Sequence, residues 1–281
     1  MTEQHSRIQL RDGNTLYTHR FGPIDDSKPT IVLVPGWAYS CEVFQPLQAM
    51  LGENYDTVSF DPRGHGRSSN DRTGHTYAQH GRDLAELIEQ LGLQRIVLLG
   101  WSLGCYDCLC YLHQSEIHPA GSQVEALILA DESPTIIKEK SSDWGEGDTE
   151  EVEGLIELVN SNAYLDFFSD YMKEGYVDSQ PSESLLTLYR KLAAQLLPED
   201  ASQLLNDATR YDFREALEQL DSHIALQFIV REHWAKEAQQ WVSEHCPNSD
   251  FQVLGGHLAL LEMPEQFHSI TSVFLSQLSS R

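Results

Sequence analysis

Residues Gly100-Trp101-Ser102-Leu103-Gly104 form the stretch from which the organisation of this chain can be inferred. The apolar residues 95–99 precede it and predict a short buried strand, and residues 105–113 after it can be helical. A serine with a glycine two residues to either side, at a turn from strand to helix, is the nucleophile-elbow pattern. Such a turn is tight, so the flanking positions favour glycine, and the serine hydroxyl is presented at the carboxyl edge of a sheet.

The composition is that of a globular protein with an unusually acidic surface. Of the 281 residues, 41% are hydrophobic and 22% are charged, which allows a sizeable core in one elaborated domain or two small ones. The 43 acidic residues against 19 basic ones give a formal net charge of −24. Because nucleic acids and anionic membrane surfaces repel a polyanion, we expect neither as a partner.

The N-terminus and the cysteines bear on the compartment. Residues 1–7 contain no apolar run of the kind found in secretory signals, and no stretch approaches the roughly 18 apolar residues of a membrane span. The five cysteines are irregularly spaced, and we interpret Cys105, Cys108 and Cys110 as buried small hydrophobic residues rather than metal ligands. We therefore expect a cytoplasmic protein without a metal site or a cofactor.

Strand-like and helix-like patterns alternate along the first half of the chain and return near its end. The strand-like runs lie at residues 8–10, 16–18, 31–34, 55–60, 95–99, 124–130, 224–230 and 250–254. The helical patterns between them lie at residues 43–51, 77–91, 105–113, 236–245 and 264–278. This alternation predicts an α/β fold, in which helices wrap a mostly parallel central sheet.

The segment 136–220 differs from the rest because it is acidic and helical and has no strand-like runs. Its helical patterns lie at residues 149–160, 163–173, 183–197 and 200–208. We interpret it as an insertion between two strands of a core made by residues 1–135 and 221–281. An insertion at the carboxyl edge of a sheet commonly covers the site that forms there.

Four motifs occur in an order that resembles the α/β-hydrolase fold superfamily over nearly the whole chain. They are Pro35-Gly36-Trp37 after the third strand, Asp61-Pro62-Arg63-Gly64-His65-Gly66-Arg67-Ser68 after the fourth, the elbow after the fifth and Gly255-Gly256-His257 after the last. The resemblance implies that segment 136–220 is the cap domain of that family. It identifies a superfamily and not a substrate, because one fold hosts many chemistries.

The resemblance implies roles for four residues. Ser102 would be the nucleophile and His257 the base that removes its proton. The oxyanion hole would be formed by the backbone N–H groups of Trp37 and Leu103. The chain departs from the commonest family pattern in having Pro35 in place of a histidine, a position that does not donate to the oxyanion. We expect His65 to form structural hydrogen bonds.

The carboxylate of the triad is the uncertain member. Most of the superfamily carries it on the loop after the strand at residues 224–230, where the matching residue here is Trp234. Glu232 is nearby but two residues early. Other branches carry the acid at the end of the preceding core strand, where this chain has Asp131 with Glu132 adjacent. We favour Asp131, with Glu232 and Glu132 as alternatives.

These roles favour a serine hydrolase that cleaves a small, largely apolar ester, lactone, thioester or amide through an acyl-enzyme. The residues expected to line its pocket are Tyr39, Trp101 and Trp144, with further aromatic residues from the insertion. The relatives of this fold that use a carboxylate nucleophile do not match, because Ser102 stands at that position. We expect a small-molecule substrate, and the oligomeric state is left open.

Two other functions remain open on the sequence. The first is a cofactor-free dioxygenase similar to those that open 3-hydroxy-4-oxoquinoline rings, in which a His–Asp pair takes a proton from a substrate hydroxyl. Those enzymes resemble one another in two histidines, where this chain has Trp101 and Tyr39. The second is a non-catalytic binding protein, which the missing acid after residues 224–230 suggests.

Overall fold

A single mixed sheet forms the centre of the molecule. The computed structural model of the chain describes residues 2–113, 123–140 and 143–278, and within these ranges it has eight strands. The strands are β1 (Thr2–Gln9), β2 (Thr15–Gly22), β3 (Thr30–Val34), β4 (Thr57–Phe60), β5 (Arg95–Trp101), β6 (Gln123–Ala130), β7 (Ala225–Val230) and β8 (Asp250–Val253). Each run that the sequence predicts as a strand overlaps one of them.

The strand order is β1-β2-β4-β3-β5-β6-β7-β8. β1 pairs with β2, and β2 with β4, in antiparallel fashion, whereas every later pair is parallel. Strands β3, β4 and β5 are buried along nearly their whole length, as expected for parallel strands that are covered on both faces. The predicted α/β architecture with a mostly parallel sheet is confirmed.

Helices cover both faces of this sheet. Those outside the insertion are α1 (Gln45–Leu51), α2 (Tyr77–Leu91), α3 (Gly104–His113), α9 (Ala235–His245), α10 (Ala259–Glu262) and α11 (Pro264–Leu278). Helix α2 shows why the boundaries follow the sequence: the Thr76 side chain caps its first turn, and Gly92 ends it with φ +65°.

Five further helices lie between β6 and β7. They are α4 (Thr149–Val159), α5 (Tyr164–Glu174), α6 (Glu183–Ala193), α7 (Pro198–Ala208) and α8 (Arg214–Leu220). We call these the inserted helices. They occupy the segment that the sequence predicts as helical, and the division into a core and a cap stays a prediction.

Two features of the described residues bear on the expectations above. No helix among them is long and apolar enough to cross a membrane. All five cysteines are free and buried, which agrees with their interpretation as small hydrophobic residues.

The sheet brings the functional motifs to one edge. Residues that follow the carboxyl ends of neighbouring parallel strands lie close together, and Trp101 at the end of β5 pairs in register with Ala130 at the end of β6. Val34 at the end of β3 pairs with Gly100. The loops after β3, β5 and β6 therefore meet at a single edge.

Candidate active site

Ser102 lies in the turn between β5 and α3 in a strained backbone conformation. Its φ is +54°, in the left-handed region that non-glycine residues rarely adopt, and its N–H donates to the Ala130 carbonyl at 2.8 Å. A Cβ placed on Gly100 would lie 2.7 Å from the Cys105 Cα, and one on Gly104 would lie 2.6 Å from the Pro35 carbonyl oxygen. The two flanking glycines are thus required by close backbone approach.

The loop after β3 packs directly against this turn. A Cβ placed on Gly36 would lie 2.7 Å from the Ser102 Cβ, so a side chain at this position would collide with the serine. In the part of the chain that the structure describes, the backbone N–H groups of Trp37 and Leu103 have no hydrogen-bond acceptor. Two unused donors therefore flank Ser102, which is the arrangement that an oxyanion hole needs.

His257 is held by Asp131, which lies at the end of the neighbouring strand. The Nδ1–H of His257 donates to Oδ2 of Asp131 at 2.6 Å, and both side chains are buried. Asp131 is the residue after β6, with φ +56° and its N–H bonded to the Ile229 carbonyl at 2.7 Å. The bond fixes the tautomer of His257 and leaves Nε2 as the nitrogen that can accept a proton.

Trp101 also connects the elbow to the loop that carries His257. Its Nε1–H donates to the His257 carbonyl at 2.9 Å, and the two rings lie 4.9 Å apart. No hydrogen bond joins the Ser102 hydroxyl to His257 among the described residues. Catalytic hydrogen bonds often form only once substrate is bound, so this geometry is compatible with a resting site.

Arg231 neutralises the charge of Asp131. Its backbone N–H donates to Asp131 Oδ1 at 2.9 Å, and its Nε lies 3.6 Å from Oδ2. Burial opposes ionisation of Asp131, but the Arg231 charge and the hydrogen bond from His257 together hold its pKa below the ordinary value. Asp131 is therefore an ionised acceptor at neutral pH.

The two alternative acids lie in other settings. Glu232 is exposed, and its carboxylate makes no hydrogen bond to His257 within the described ranges. Glu132 is buried and accepts from the Ser133 N–H at 2.9 Å rather than from the histidine. Trp234, at the common acid position, is buried with the Arg231 guanidinium 3.4 Å above its ring.

A cavity of about 80 Å³ opens beside Ser102. The inserted helices close it on one side and the loops at the sheet edge on the other. Its lining is Trp37, Tyr39, Ser102, Leu103, Glu132, Ile136, Glu146, Val152, Leu155, Phe167, Tyr171 and Leu205. Apart from two glutamates and the serine, these side chains are apolar or aromatic, as is usual for small-molecule sites.

Two pocket residues named from the sequence do not line this cavity. Trp144 packs instead in an aromatic cluster with Phe228, Trp234 and Trp241, at centroid distances of 6.2, 6.3 and 6.0 Å. Trp101 is buried beneath Tyr39, with the ring centroids 4.7 Å apart. The structure places neither tryptophan on the wall of this cavity, and a contact of either with substrate stays a prediction.

A second set of buried histidines lies behind the Trp37 loop. His65 bonds through Nδ1 to the Arg63 carbonyl at 2.8 Å, as the structural interpretation of this residue requires. Burial, and then the nearby His80, lower the pKa of His65 to about 3. His80 on α2 pairs with Asp107 on α3 at 3.0 Å, an arrangement that the sequence analysis did not find.

Sequence reasoning also missed Arg231 and Glu146, whose side chains pair at 3.0 Å. Arg231 could have been found from its place at the end of β7, where a residue at the carboxyl edge of the sheet borders the site. Glu146 carries no such signal, because it lies in an irregular loop of the insertion.

A group of side chains that could bind a metal ion lies in a different part of the molecule. Among the described residues, the group of side chains that could hold an ion is Glu3, His5 and His19 on the antiparallel strands β1 and β2. None of these residues lines the cavity beside Ser102.

Comparison with known proteins agrees with this geometry. A family model described as alpha/beta hydrolase fold matches residues 29–263. The chain is 25% identical over 288 residues to 3-oxoadipate enol-lactonase 1 of Acinetobacter baylyi, a match that covers 99% of this chain and 100% of that protein. It is also 28% identical over 139 residues to the bifunctional esterase/perhydrolase DCH of Acinetobacter calcoaceticus.

The extent of these matches differs. The match to the esterase/perhydrolase covers 49% of this chain and spans 49% of the length of that protein. Among solved structures, an esterase from Exiguobacterium antarcticum is similar with a TM-score of 0.82 and 24% sequence identity, over 97% of this chain and 100% of that one. This likeness concerns the fold alone.

Proposed function

The chain belongs to the α/β-hydrolase fold family, and from that premise we propose that it is a serine hydrolase that cleaves a small, largely apolar ester, lactone, thioester or amide through an acyl-enzyme. The observation that carries the proposal is the 2.6 Å bond from His257 to Asp131. It supports a base that is held in one tautomer at the edge of the sheet from which Ser102 projects.

In the proposed reaction, Ser102 Oγ attacks the acyl carbon while its proton passes to His257 Nε2. The oxyanion that forms accepts hydrogen bonds from the N–H groups of Trp37 and Leu103. The intermediate collapses, the bond to the leaving group breaks, and the proton on Nε2 moves to the departing atom. Water then attacks the acyl-enzyme by the same steps and releases the acid and the free serine.

Asp131 acts through His257 in this proposal. Its negative charge stabilises the imidazolium that forms during each attack and fixes the orientation of the ring. The lowered pKa of Asp131 keeps the carboxylate ionised, and Arg231 is the group chiefly responsible. The ester and lactone chemistry named for the two relatives agrees with this class of reaction.

A fluorophosphonate probe followed by mass spectrometry tests the proposal. We expect one label per chain on Ser102, loss of the label in Ser102→Ala, and turnover of short p-nitrophenyl esters that disappears in the same variant. Ser243→Ala removes an exposed serine and should leave both readouts unchanged. A folded wild-type protein with neither labelling nor turnover would contradict the proposal and favour a binding protein.

A second candidate is the cofactor-free dioxygenase. Its support is the same pair, since an Asp131-held His257 could take a proton from a substrate hydroxyl, and Ser102 has no hydrogen bond to His257. Oxygen uptake with a 3-hydroxy-4-oxoquinoline that partly survives Ser102→Ala would favour it. Trp101 and Tyr39 stand where those enzymes have histidines, which is why we place it second.

A further inference from the structure

Glu132 is a buried acid at the wall of an otherwise apolar cavity. Glu132 is 3% exposed and lines the cavity of about 80 Å³ beside Ser102. One carboxyl oxygen, Oε1, accepts from the Ser133 N–H at 2.9 Å and from its hydroxyl at 3.3 Å. Within the described part of the chain, Oε2 has no hydrogen-bond partner, and it is not one of the fully buried unpaired atoms. The oxygen is therefore open to the cavity that Glu132 lines and is available to a ligand.

Acid groups outnumber cations around this wall. Asp131, Glu132 and Glu146 are three carboxyl groups, and Arg231 is the guanidinium that lies among them. Arg231 bonds to Glu146 at 3.0 Å and lies 3.6 Å from Asp131, so its charge is already shared by two carboxylates. Glu132 feels the Arg231 charge but forms no ion pair with it or with any other described residue. An anionic substrate group would be repelled here, whereas a cationic group would compensate the excess of negative charge.

The rest of the lining suits a cation of low hydration. Trp37, Tyr39, Phe167 and Tyr171 contribute aromatic side chains to the cavity. The Tyr39 hydroxyl is buried and has no hydrogen-bond partner among the described residues. Aromatic faces beside carboxyl groups are the combination that recognises alkylammonium ions, because the ring quadrupole and the acid charge both attract the cation.

We propose that the cavity beside Ser102 binds an alkylammonium group and that Glu132 is the side chain that pairs with it. Resting on the proposed hydrolase function, the inference names the substrate class: an ester or amide whose acyl part carries a protonated amine. Glu132 would then set specificity, and Ser102, His257 and Asp131 would carry out the chemistry.

Binding of the cation changes the protonation of Glu132. Burial and then Glu146 raise the pKa of Glu132 well above its ordinary value, and a bound cation would lower it again by stabilising the ionised form. Cation binding and ionisation of Glu132 therefore favour each other, and affinity falls as the pH is lowered. The charged and titratable groups that face Glu132 are Asp131, Glu146, Arg231, Tyr171, Tyr106, Tyr77 and Cys105.

Calorimetric titration of the full chain with n-butylammonium and with 1-butanol tests the pairing directly. We expect the ammonium to bind about tenfold or more tightly than the alcohol. Titrations in two buffers of different ionisation enthalpy should reveal net proton release when the ammonium binds. Equal or tighter binding of 1-butanol would overturn the inference.

Two variants locate the effect. Glu132→Gln keeps the size of the side chain and should abolish both the preference for the ammonium and the proton release. Glu153→Gln removes an exposed glutamate from α4, the same helix that places Val152 and Leu155 in the cavity, and should change neither. If Glu132→Gln does not fold, the wild-type comparison of the two ligands still decides the matter.

Turnover separates this inference from the proposed function. Ethyl β-alaninate and ethyl butyrate have the same size and differ in charge, and we expect the first to have the lower KM. Cleavage of ethyl butyrate without ammonium binding would leave the hydrolase proposal standing and refute the ammonium site. Ammonium binding with no Ser102-dependent cleavage of either ester would support the site and refute the hydrolase.

Discussion

Among the buried histidine–aspartate pairs of the described residues, His257–Asp131 and His80–Asp107 have different surroundings. His257 and Asp131 lie 2.6 Å apart on loops at the carboxyl edge of the sheet, and His257 lines a surface cavity of about 420 Å³. His80 and Asp107 lie 3.0 Å apart on helices α2 and α3, beside a void of about 10 Å³ that has room for a single water.

The contrast teaches that the pair itself does not make a catalytic site. Asp131 is presented by a left-handed backbone next to a serine in the same conformation, with a guanidinium that keeps it ionised. Asp107 is in the first turn of an ordinary helix, where burial raises its pKa although His80 opposes that rise. The first pair faces a ligand space, and the second joins two helices.

The largest difference should appear when each aspartate is made neutral. Asp131→Asn is expected to lower kcat by about 10³- to 10⁴-fold, because the imidazolium loses its counter-charge and the tautomer of His257 is no longer fixed. Asparagine tolerates the left-handed backbone at this position, so the fold should persist. Steady-state hydrolysis of the best p-nitrophenyl ester measures the effect.

Asp107→Asn is the matched control for that substitution. It makes the same change in the second pair and should leave kcat within a few-fold of wild type. Equal losses in the two variants would show that the pairs are not functionally distinct, and circular dichroism of both would verify that they are folded.

The second pair should instead govern stability. Asp107→Ala leaves the His80 imidazole buried without its partner, and we expect about 3–5 kcal/mol lower free energy of unfolding. Urea denaturation followed by fluorescence gives this value. A loss below about 1 kcal/mol would mean that solvent reaches His80 and that the pair is not truly buried.

A buried histidine next to the second pair should also make the free energy of unfolding depend on pH. The ring of His65 in this region lies edge-on to that of His80, with the ring centroids 6.0 Å apart. Burial, and then His80, lower the pKa of His65 to about 3. Between pH 6.5 and 3 the unfolded chain binds a proton that folded His65 does not, so the free energy of unfolding decreases as pH falls. The slope from this residue is at most about 1.4 kcal/mol per pH unit.

His65→Gln should remove that contribution, and the exposed His223→Gln should not. Urea titrations of the two variants and wild type at pH 6.5, 5.5 and 4.5 separate the slopes. Parallel curves for wild type and His65→Gln would contradict a neutral, buried His65.

The smallest effect is expected at the rejected alternative acid. Glu232→Gln should change kcat by no more than about twofold, since an exposed side chain without a bond to His257 contributes little to its charge. The same ester assay serves here. If Glu232→Gln reduced kcat more than Asp131→Asn, the assignment of the acid to Asp131 would be wrong.

Much of the fold followed from local patterns. The sequence predicts helices at residues 77–91 and 264–278, and the structure has them at Tyr77–Leu91 and Pro264–Leu278. An apolar face is buried in both, and Thr76 and Gly92 cap the first. The helix Arg214–Leu220 lies in the segment predicted as helical, but the sequence analysis did not give its bounds. It has seven residues and no side-chain cap, so its stability comes from packing that a local pattern does not contain.

The candidate site likewise has residues that the sequence identifies and residues whose positions depend on tertiary contacts. Motifs at strand ends identify the candidate residues Ser102, Trp37, Leu103 and His257. The sheet then brings the loops that carry them to one edge. Trp144 lies in an aromatic cluster and not on the cavity wall, because an aromatic residue in the insertion can face either the cavity or the core. That choice, like the role of Arg231, depends on tertiary contacts between distant segments.

The reactivity of the five buried thiols can report local opening of the molecule. Burial raises the pKa of the Cys105 and Cys108 thiols well above the ordinary value, and burial followed by Asp221 raises that of Cys246 to about 12. Thiol reagents attack the thiolate, so each cysteine becomes reactive only when its segment leaves the core. Cys105 and Cys108 lie on the helix behind Ser102, and Cys246 lies beyond α9. Their modification rates therefore record how often the elbow and a distant helix open independently.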